Sequence, residues 1–402
     1  MIRNYVKGFT HGGVMHSDEV FATALLRLID SKFEIIRQKD RSDAIPCNDD
    51  ILVFDIGLGR FDHHQKDAKL RPTGKKFSSV GLILEEFWED MGLSKEEYLH
   101  LDKTIIEKID LCDNYGDFCD YAHIIDSFNT SWKVSKDLSQ EQYILEQDKS
   151  FENAVLIASE IINMELKKFR ENKEDNSMFY IEQLYIKAFM NIINEKYTMS
   201  SLSFLDIVKK NYMKILPNDS LDYIIDKIKR YQNCFDTNNY NAGFVRIANN
   251  YDYNNDFEYH KALKLIEFIL NKDILSSMNE YTAKKYILEY YKNSKDNYII
   301  IPIKGIPWVR EVTHINETFN RKIDFVIYEN DGISCGIQCV PKSFYYKNTK
   351  RIPFPKIIRG ASSDNLTNYL DGLTFCHSAG FFAVTKDLHT AEELIKKVSK
   401  RA

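Results

Sequence analysis

Residues 51–64 read Ile51-Leu52-Val53-Phe54-Asp55-Ile56-Gly57-Leu58-Gly59-Arg60-Phe61-Asp62-His63-His64. A run of β-type apolar residues leads into Asp55, and an Asp-His-His triplet follows seven residues later. An apolar run that closes on a carboxylate has the pattern of a buried strand delivering a side chain to a site at its carboxyl end. Upstream, Thr10-His11-Gly12-Gly13-Val14-Met15-His16-Ser17-Asp18-Glu19 forms a second loop rich in ligand atoms. Together the two stretches offer three carboxylates (Asp18, Asp55 and Asp62) and four imidazoles. The chain has ten histidines in 402 residues, and four of them fall within the first 64. Packing does not gather histidines in this way, whereas a metal site does.

Working outward, the first third alternates strand and helix. Strands are expected over Tyr5–Thr10, Phe33–Arg37 and Ile51–Ile56. Helices are expected over Asp18–Ile29, where Phe21, Leu25, Leu26 and Ile29 keep helical spacing, and over Ser79–Met91 and Lys95–Leu111. This rhythm predicts an α/β fold with a parallel sheet. From about 139 to 295 the periodicity is helical, interrupted by the polar stretch Asn172-Lys173-Glu174-Asp175-Asn176. The last hundred residues return to strands: Tyr298–Ile303, Ile323–Tyr328, Ile333–Val340, Thr374–His377 and Phe381–Val384. Asn330-Asp331-Gly332 is a hairpin signal, and a helix closes the chain over His389–Val398. A chain of this length exceeds one core. We therefore expect a parallel-sheet metal-binding catalytic domain over 1–130, a helical middle region over 131–295 that reads as an insertion, and a smaller α/β substrate-binding domain over 296–402.

The net charge of −5 argues against bulk electrostatic binding of nucleic acid and leaves room for a local basic channel. Seven scattered cysteines suit a reducing compartment better than a disulfide framework. No apolar run is long enough to span a bilayer, and the first residues lack an apolar secretion core. These features point to a cytoplasmic protein without a membrane partner, with homo-oligomerisation left open.

The residue types name the chemistry. His16 and Asp18, two apart, point the same way from extended backbone. The two oxygens of Asp55 can reach two ions. Imidazole with carboxylate suits manganese, magnesium, iron or zinc, and the lack of a nearby cysteine argues against structural zinc. Two ions ~3.5–4 Å apart acidify a water between them and clamp the oxygens of a phosphoryl displacement. Asp110 and Asp113 end a helix, and either could complete the second ion's shell. Any one of these residues could be a loop cap or a core histidine; the set of them is poorly explained that way. Arg60, Lys66, Lys69, Arg71, Lys75 and Lys76 form a basic run that begins at the site and could steer a polyanion, although a solvated loop is the commoner meaning of such a run. Arg351 and Arg359 precede Cys376-His377-Ser378, and arginine forks suit phosphate oxygens. Cys335 and Cys339, four apart on a strand, read as packing. Phe344-Tyr345-Tyr346 could stack bases, but core burial is the plainer reading.

With those residues in hand, the chain resembles the DHH phosphoesterase superfamily, which includes RecJ-type exonucleases and family II inorganic pyrophosphatases. Within it, the chain is most similar to the melanocyte-proliferating-gene (MYG-type) branch. The resemblance rests on Thr10-His11-x-Gly13-x-x-His16-x-Asp18-Glu19, Phe61-Asp62-His63-His64-Gln65, Ser78-Ser79-Val80-Gly81-Leu82 and Asp110-x-x-Asp113-Asn114. It extends to Pro307-Trp308, Arg359-Gly360 and Phe375-Cys376-His377-Ser378-Ala379-Gly380-Phe381. It implies a phosphodiesterase that uses two divalent ions, manganese or magnesium, and a water they activate. It implies a 3′→5′ exonuclease on single-stranded RNA, with DNA as the alternative. His11, His16 and Asp55 would hold one ion; Asp18, Asp55, His63 and Asp113 would hold the other. His64 would face the scissile phosphate, with Asp55 and Asp18 sharing in catalysis. Arg359 and His377 of the C-terminal domain, with Arg60 and Lys66 of the basic run, would bind substrate. The chain departs from the superfamily where His16 replaces a frequent Asp, and where Ile357-Ile358-Arg359-Gly360-Ala361 lacks an aromatic residue and a second arginine. Two other readings stand beside this one: a phosphohydrolase of a small substrate (a short oligonucleotide, a cyclic dinucleotide or pyrophosphate), and a non-catalytic metal-binding scaffold.

Overall fold

A computed structural model describes residues 2, 5–39, 45–46, 48–197, 199, 201–217, 220–240, 242–294, 296–303, 305–330, 334–344 and 349–400. The first strands are β1 (Lys7–Thr10), β2 (Glu34–Arg37) and β3 (Ile51–Val53), with helix α1 (Ser17–Ile29) crossing between β1 and β2. They form a parallel sheet in the order β2-β1-β3, with Phe9 opposite both Ile36 and Val53. Central β1 therefore carries its following loop to the middle of the sheet's carboxyl edge. A Cβ on Gly12 would lie 1.7 Å from the carbonyl oxygen of Gln38, so this loop passes the end of β2 at a distance only glycine allows. The expected strand over Ile51–Ile56 stops early. Asp55 has φ 57°, a left-handed conformation that no strand accommodates.

Helix α2 (Ser79–Phe87) packs on α1. Next, α3 (Lys95–Leu101), a π-helical segment (Asp102–Ile106) and α4 (Glu107–Tyr115) follow without a break. The helix expected to end at Leu111 thus continues to Tyr115, where Gly116 at φ 72° caps it. Asp110 and Asp113 both lie inside α4.

The helical middle comprises α5 (Asp120–Asp126), α6 (Trp132–Ser135), α7 (Gln140–Glu171), α8 (Met178–Ile192), α9 (Phe204–Asn211), α10 (Leu221–Asp236), α11 (Gly243–Asn249) and α12 (Asp256–Asn293). Helix α7 opens on a capping box between Ser139 and Gln142 and ends at left-handed Asn172, where the expected polar loop begins. Its stripe Phe151, Ala154, Val155, Ala158 and Ile161 is buried, and it packs against α1. One hydrophobic core runs from Ile2 to Ile274, so the helical middle and the parallel sheet share it.

The remaining elements are β4 (Tyr298–Ile301), α13 (Val309–Thr318), β5 (Phe325–Asn330), β6 (Ser334–Cys339), α14 (Ser363–Tyr369), β7 (Leu373–Cys376), β8 (Phe382–Thr385) and α15 (Leu388–Ser399). The sheet order is β4-β5-β6-β8-β7, with β4 and β5 parallel and the other pairs antiparallel. β5 and β6 pair with Asn330 opposite Ser334, as a hairpin requires. Asp331 and Gly332 of the expected turn lie outside the described residues, as do Tyr345 and Tyr346 of the aromatic cluster. Cys335 and Cys339 are buried in this unit's core, in keeping with packing. Helices α13 and α14 are not foreseen from the apolar pattern, because they bury few apolar residues (Val312 and Ile315; Leu366). Among the described residues no helix is long and apolar enough to cross a membrane.

Candidate metal centre

The carboxyl edge of the parallel sheet collects the two loops. His11 follows β1 directly, and His16, Asp18 and Glu19 stand at the start of α1. Left-handed Asp55 leaves β3, and its backbone N–H donates to the carbonyl of Phe61 at 3.1 Å, tying it to the Asp-His-His loop. Its Oδ2 lies 3.2 Å from His11 Nε2 and its Oδ1 lies 3.1 Å from His63 Nε2. One carboxylate therefore faces two imidazoles with separate oxygens. His63 Nε2 also lies 3.2 Å from Asp113 Oδ2 and 3.5 Å from Asp18 Oδ2. Ligand atoms of His11, His16, Glu19 and Asp55 all lie within 4.8 Å of one another, and so do those of His16, Asp18 and Asp113.

Neighbouring side chains fix these groups. Asn114 Nδ2 donates to the carbonyls of Phe77 and Asp110, both at 3.0 Å, which leaves Asn114 Oδ1 facing His63 Nδ1 at 3.0 Å. His63 Nδ1 then carries a proton, which fixes the ring with Nε2 facing three carboxylates. Ser79 Oγ donates to Asp55 Oδ1 at 3.1 Å. The first loop is pinned at Met15, whose N–H donates to Asn129 Oδ1 at 2.8 Å and whose carbonyl accepts from Asn129 Nδ2 at 2.9 Å. Asp62 accepts from the N–H groups of Leu58, His63 and His64 and from His64 Nδ1 at 2.6 Å, so it braces the Asp-His-His turn. Asp110 is taken by Arg71 Nε at 2.7 Å and by the N–H and Oγ of Ser78. Of the two candidate aspartates, Asp113 is the one facing the cluster.

Buried negative charge sets the electrostatics. Asp18 and Glu19 have no exposed surface, and Asp55 and His63 are also buried. Burial, reinforced by the charge of Asp18, pushes the Asp113 carboxyl up to about 7. Burial pulls the His11 imidazole down, but Glu19 and Asp55 outweigh it and raise the group to about 10. Burial also acts to raise Asp55, yet His11 and His63 hold it well below the usual carboxylate range. Thr10 Oγ1, Asp18 Oδ1 and Glu19 Oε2 are buried without a hydrogen-bond partner among the described residues. Leaving such atoms unsatisfied is costly unless a cation compensates them. Imidazole and carboxylate donors without thiolate suit a hard or borderline divalent ion, and the residues fit one.

The C-terminal unit closes on this edge. Gly360, at φ 57°, lies so near that a Cβ there would be 2.9 Å from the His64 carbonyl oxygen. Lys76 Nζ donates to the carbonyls of His63 at 3.3 Å and Gln65 at 3.0 Å, and to Ser378 Oγ at 3.2 Å. The His377 ring stands perpendicular to His64 at 5.4 Å. Burial, then the charge of His64, holds His377 well below the usual imidazole value. The Ala379 N–H donates to its Nδ1 at 3.0 Å, so Nε2 carries the proton. Arg359 Nε donates to the Phe354 carbonyl at 2.7 Å.

The basic run is less free than its composition suggests. Arg60 pairs with Glu86 at 2.5 Å on the surface, Lys69 with Glu85 at 2.5 Å, and Arg71 with Asp102 at 2.8 Å and with Asp110. Lys75 lies over the Tyr115 ring, while Lys66 is exposed. Site reasoning from sequence left Glu19, Ser79, Asn114 and Asn129 without roles. Glu19 carried a signal in its capping-box spacing from His16, and Ser79 and Asn114 stood inside quoted motifs. Asn129 carried none, being 114 residues from the Met15 it holds.

A family model named for the MYG1 exonucleases, and described as uncharacterised protein family UPF0160, matches residues 8–225 and 207–398. A MYG1 protein of Chlamydia muridarum (strain MoPn / Nigg) is 35% identical over 133 residues, covering 30% of this chain and 43% of that protein. The chain thus spans less than half the length of this relative. A MYG1 exonuclease of Mus musculus is 22% identical over 396 residues, covering 92% of this chain and 79% of that protein. The crystal structure of RecJ in complex with Mg2+ from Thermus thermophilus aligns with a TM-score of 0.33 at 11% identity, covering 100% of this chain and 50% of that one, a likeness too slight to carry an argument.

Proposed function

The chain belongs to the MYG1 exonuclease family, and from that premise we propose that it is a metal-dependent 3′→5′ exonuclease on single-stranded RNA. The observation that carries the reading is the buried cluster around Asp55, in which Asp18 Oδ1 and Glu19 Oε2 have no hydrogen-bond partner among the described residues. The exonuclease name of the mouse relative supports it. His11, His16 and Asp55 hold one divalent ion; Asp18, Asp55, His63 and Asp113 hold the other. When bound, two manganese or magnesium ions lower the pKa of a water and neutralise charge on phosphoryl oxygens.

The chain's own groups prepare that chemistry. Asp55 joins the two halves of the site, oriented by Ser79. Asn114 keeps His63 Nε2 aimed at the acidic side. His64, held by Asp62 through Nδ1, keeps Nε2 for a phosphate oxygen. His377, with its proton on Nε2, offers a neutral donor from the opposite wall. Arg359, Lys66 and Arg60 contact the phosphate backbone farther out. In this reading residues 1–130 carry catalysis, 296–402 close over the substrate, and 131–295 brace the first unit through the shared core.

The test is hydrolysis of 3′-labelled and 5′-labelled single-stranded RNA and DNA, each with manganese and with a chelator, beside Asp55→Ala. The expected result is manganese-dependent stepwise shortening of RNA from its 3′ end, absent from the variant. Full activity in Asp55→Ala would sink the proposal. A small phosphorylated substrate is the second reading, favoured by the ion pairs that occupy Arg60, Lys69 and Arg71. Salt separates the two: a polyanion gripped at many phosphates loses affinity steeply, a small substrate shallowly.

A further inference from the structure

We infer that Glu19 is a fourth ligand of the first ion. This rests on the two-ion reading above. The first position then has His11, His16, Glu19 and Asp55, two imidazoles and two carboxylates. The second has His63, Asp18, Asp113 and Asp55, one imidazole and three carboxylates.

Glu19 sits at the third position of α1, and its Oε1 accepts from the His16 N–H at 2.8 Å. A capping box accounts for that oxygen. It does not account for the rest of the side chain. A capping glutamate belongs at the surface, where water satisfies its second oxygen, yet Glu19 has no exposed surface. Its Oε2 has no hydrogen-bond partner among the described residues, while its Oε1 lies 3.4 Å from His11 Nε2, which also faces Asp55 Oδ2 at 3.2 Å. A buried carboxylate with one open oxygen therefore shares a space with His11, His16 and Asp55, each of which brings a ligand atom within 4.8 Å of the others. A buried carboxylate with one open oxygen is retained where a cation takes it up.

The consequence is selectivity. Imidazole donors favour iron, nickel or zinc, whereas an oxygen-rich set accepts magnesium or manganese readily. The site is therefore built to hold unlike ions, or like ions with unlike affinity.

Direct binding of manganese to the full chain, followed by calorimetry and by electron paramagnetic resonance of the free ion, tests this without reference to activity. The wild type should bind two ions. Glu19→Gln keeps an oxygen for the His16 N–H and loses the anionic ligand. It should retain one site and weaken the other roughly 10–100-fold, with an unchanged melting temperature in chelator. Two sites of wild-type affinity in Glu19→Gln would overturn the role of Glu19 and leave the nuclease reading standing. A wild type that binds no divalent ion would overturn both. If Glu19→Gln does not fold, Glu19→Asp, which keeps the charge and withdraws the carboxylate, decides. One weakened site beside one of wild-type affinity supports the ligand role, and two sites of wild-type affinity overturn it.

Discussion

Glu165 in α7 and Asp273 in α12 are as buried as the carboxylates at the parallel sheet, but their oxygens are used differently. Glu165 Oε1 accepts from His100 and Arg246, and its Oε2 accepts from Arg246 Nε at 3.0 Å and Asn250 at 2.9 Å. Asp273 accepts from His123 Nε2 at 2.5 Å through one oxygen and from Tyr231 through the other. Each is surrounded by donors, and Glu165 welds α3 to α11 across α7. At the sheet edge, Asp18, Glu19, Asp55 and Asp113 lie close together, and Asp18 Oδ1 and Glu19 Oε2 have no hydrogen-bond partner among the described residues. Glu165 and Asp273 close their hydrogen bonds with local donors. A ligand carboxylate keeps company of like charge and leaves an atom for something that must come from outside.

Glu165→Ala leaves half-buried Arg246 and His100 without their partner and should cost about 3 kcal/mol of unfolding free energy in urea titration, while manganese binding is unchanged. A loss of metal binding there would erase the distinction. The same carboxylate gives an acid signature. Burial acts to raise its pKa, but His100, Arg246 and Asn250 outweigh burial and lower it to about 2 from 4.5. Because the folded value lies below the unfolded one, its stabilisation is full above about pH 4.5 and is lost as pH falls through about 2. The stability gap between wild type and Glu165→Gln should close over that window, and a constant gap would contradict the pairing. Asn114→Ala frees the His63 ring without removing a ligand and should weaken manganese binding about 10–100-fold by calorimetry. Arg60→Ala breaks an exposed pair and should change stability by at most about 1 kcal/mol. If Arg60 contacts a phosphate, that variant should also reduce the salt slope of RNA binding by about 1.

The sheet edge was legible in the sequence because its ligands lie in two short stretches that each follow an apolar strand. Residue type and strand periodicity together locate them. What was not legible depends on conformation or on distance along the chain. Apolar Ile56 after Asp55 makes β3 look longer than it is, because periodicity does not register the left-handed backbone of Asp55. Asp110 and Asp113 are equivalent by spacing, and Arg71 separates them only once α4 is folded beside the 71–78 segment. The basic run looked free because Glu85, Glu86, Asp102 and Asp110, which neutralise much of it, come from helices that follow. The Glu165 network joins residues up to 85 positions apart, and nothing local marks them.

Thermal unfolding with manganese and with chelator, for wild type, Asp55→Ala and Glu165→Ala, tests the central claim most directly. An ion at 100 times its dissociation constant stabilises the folded chain by about 2.7 kcal/mol. The wild type should show a manganese-dependent rise in melting temperature, Glu165→Ala the same rise from a lower starting point, and Asp55→Ala none. An undiminished rise in Asp55→Ala, or no rise in the wild type, would contradict a metal centre built on Asp55.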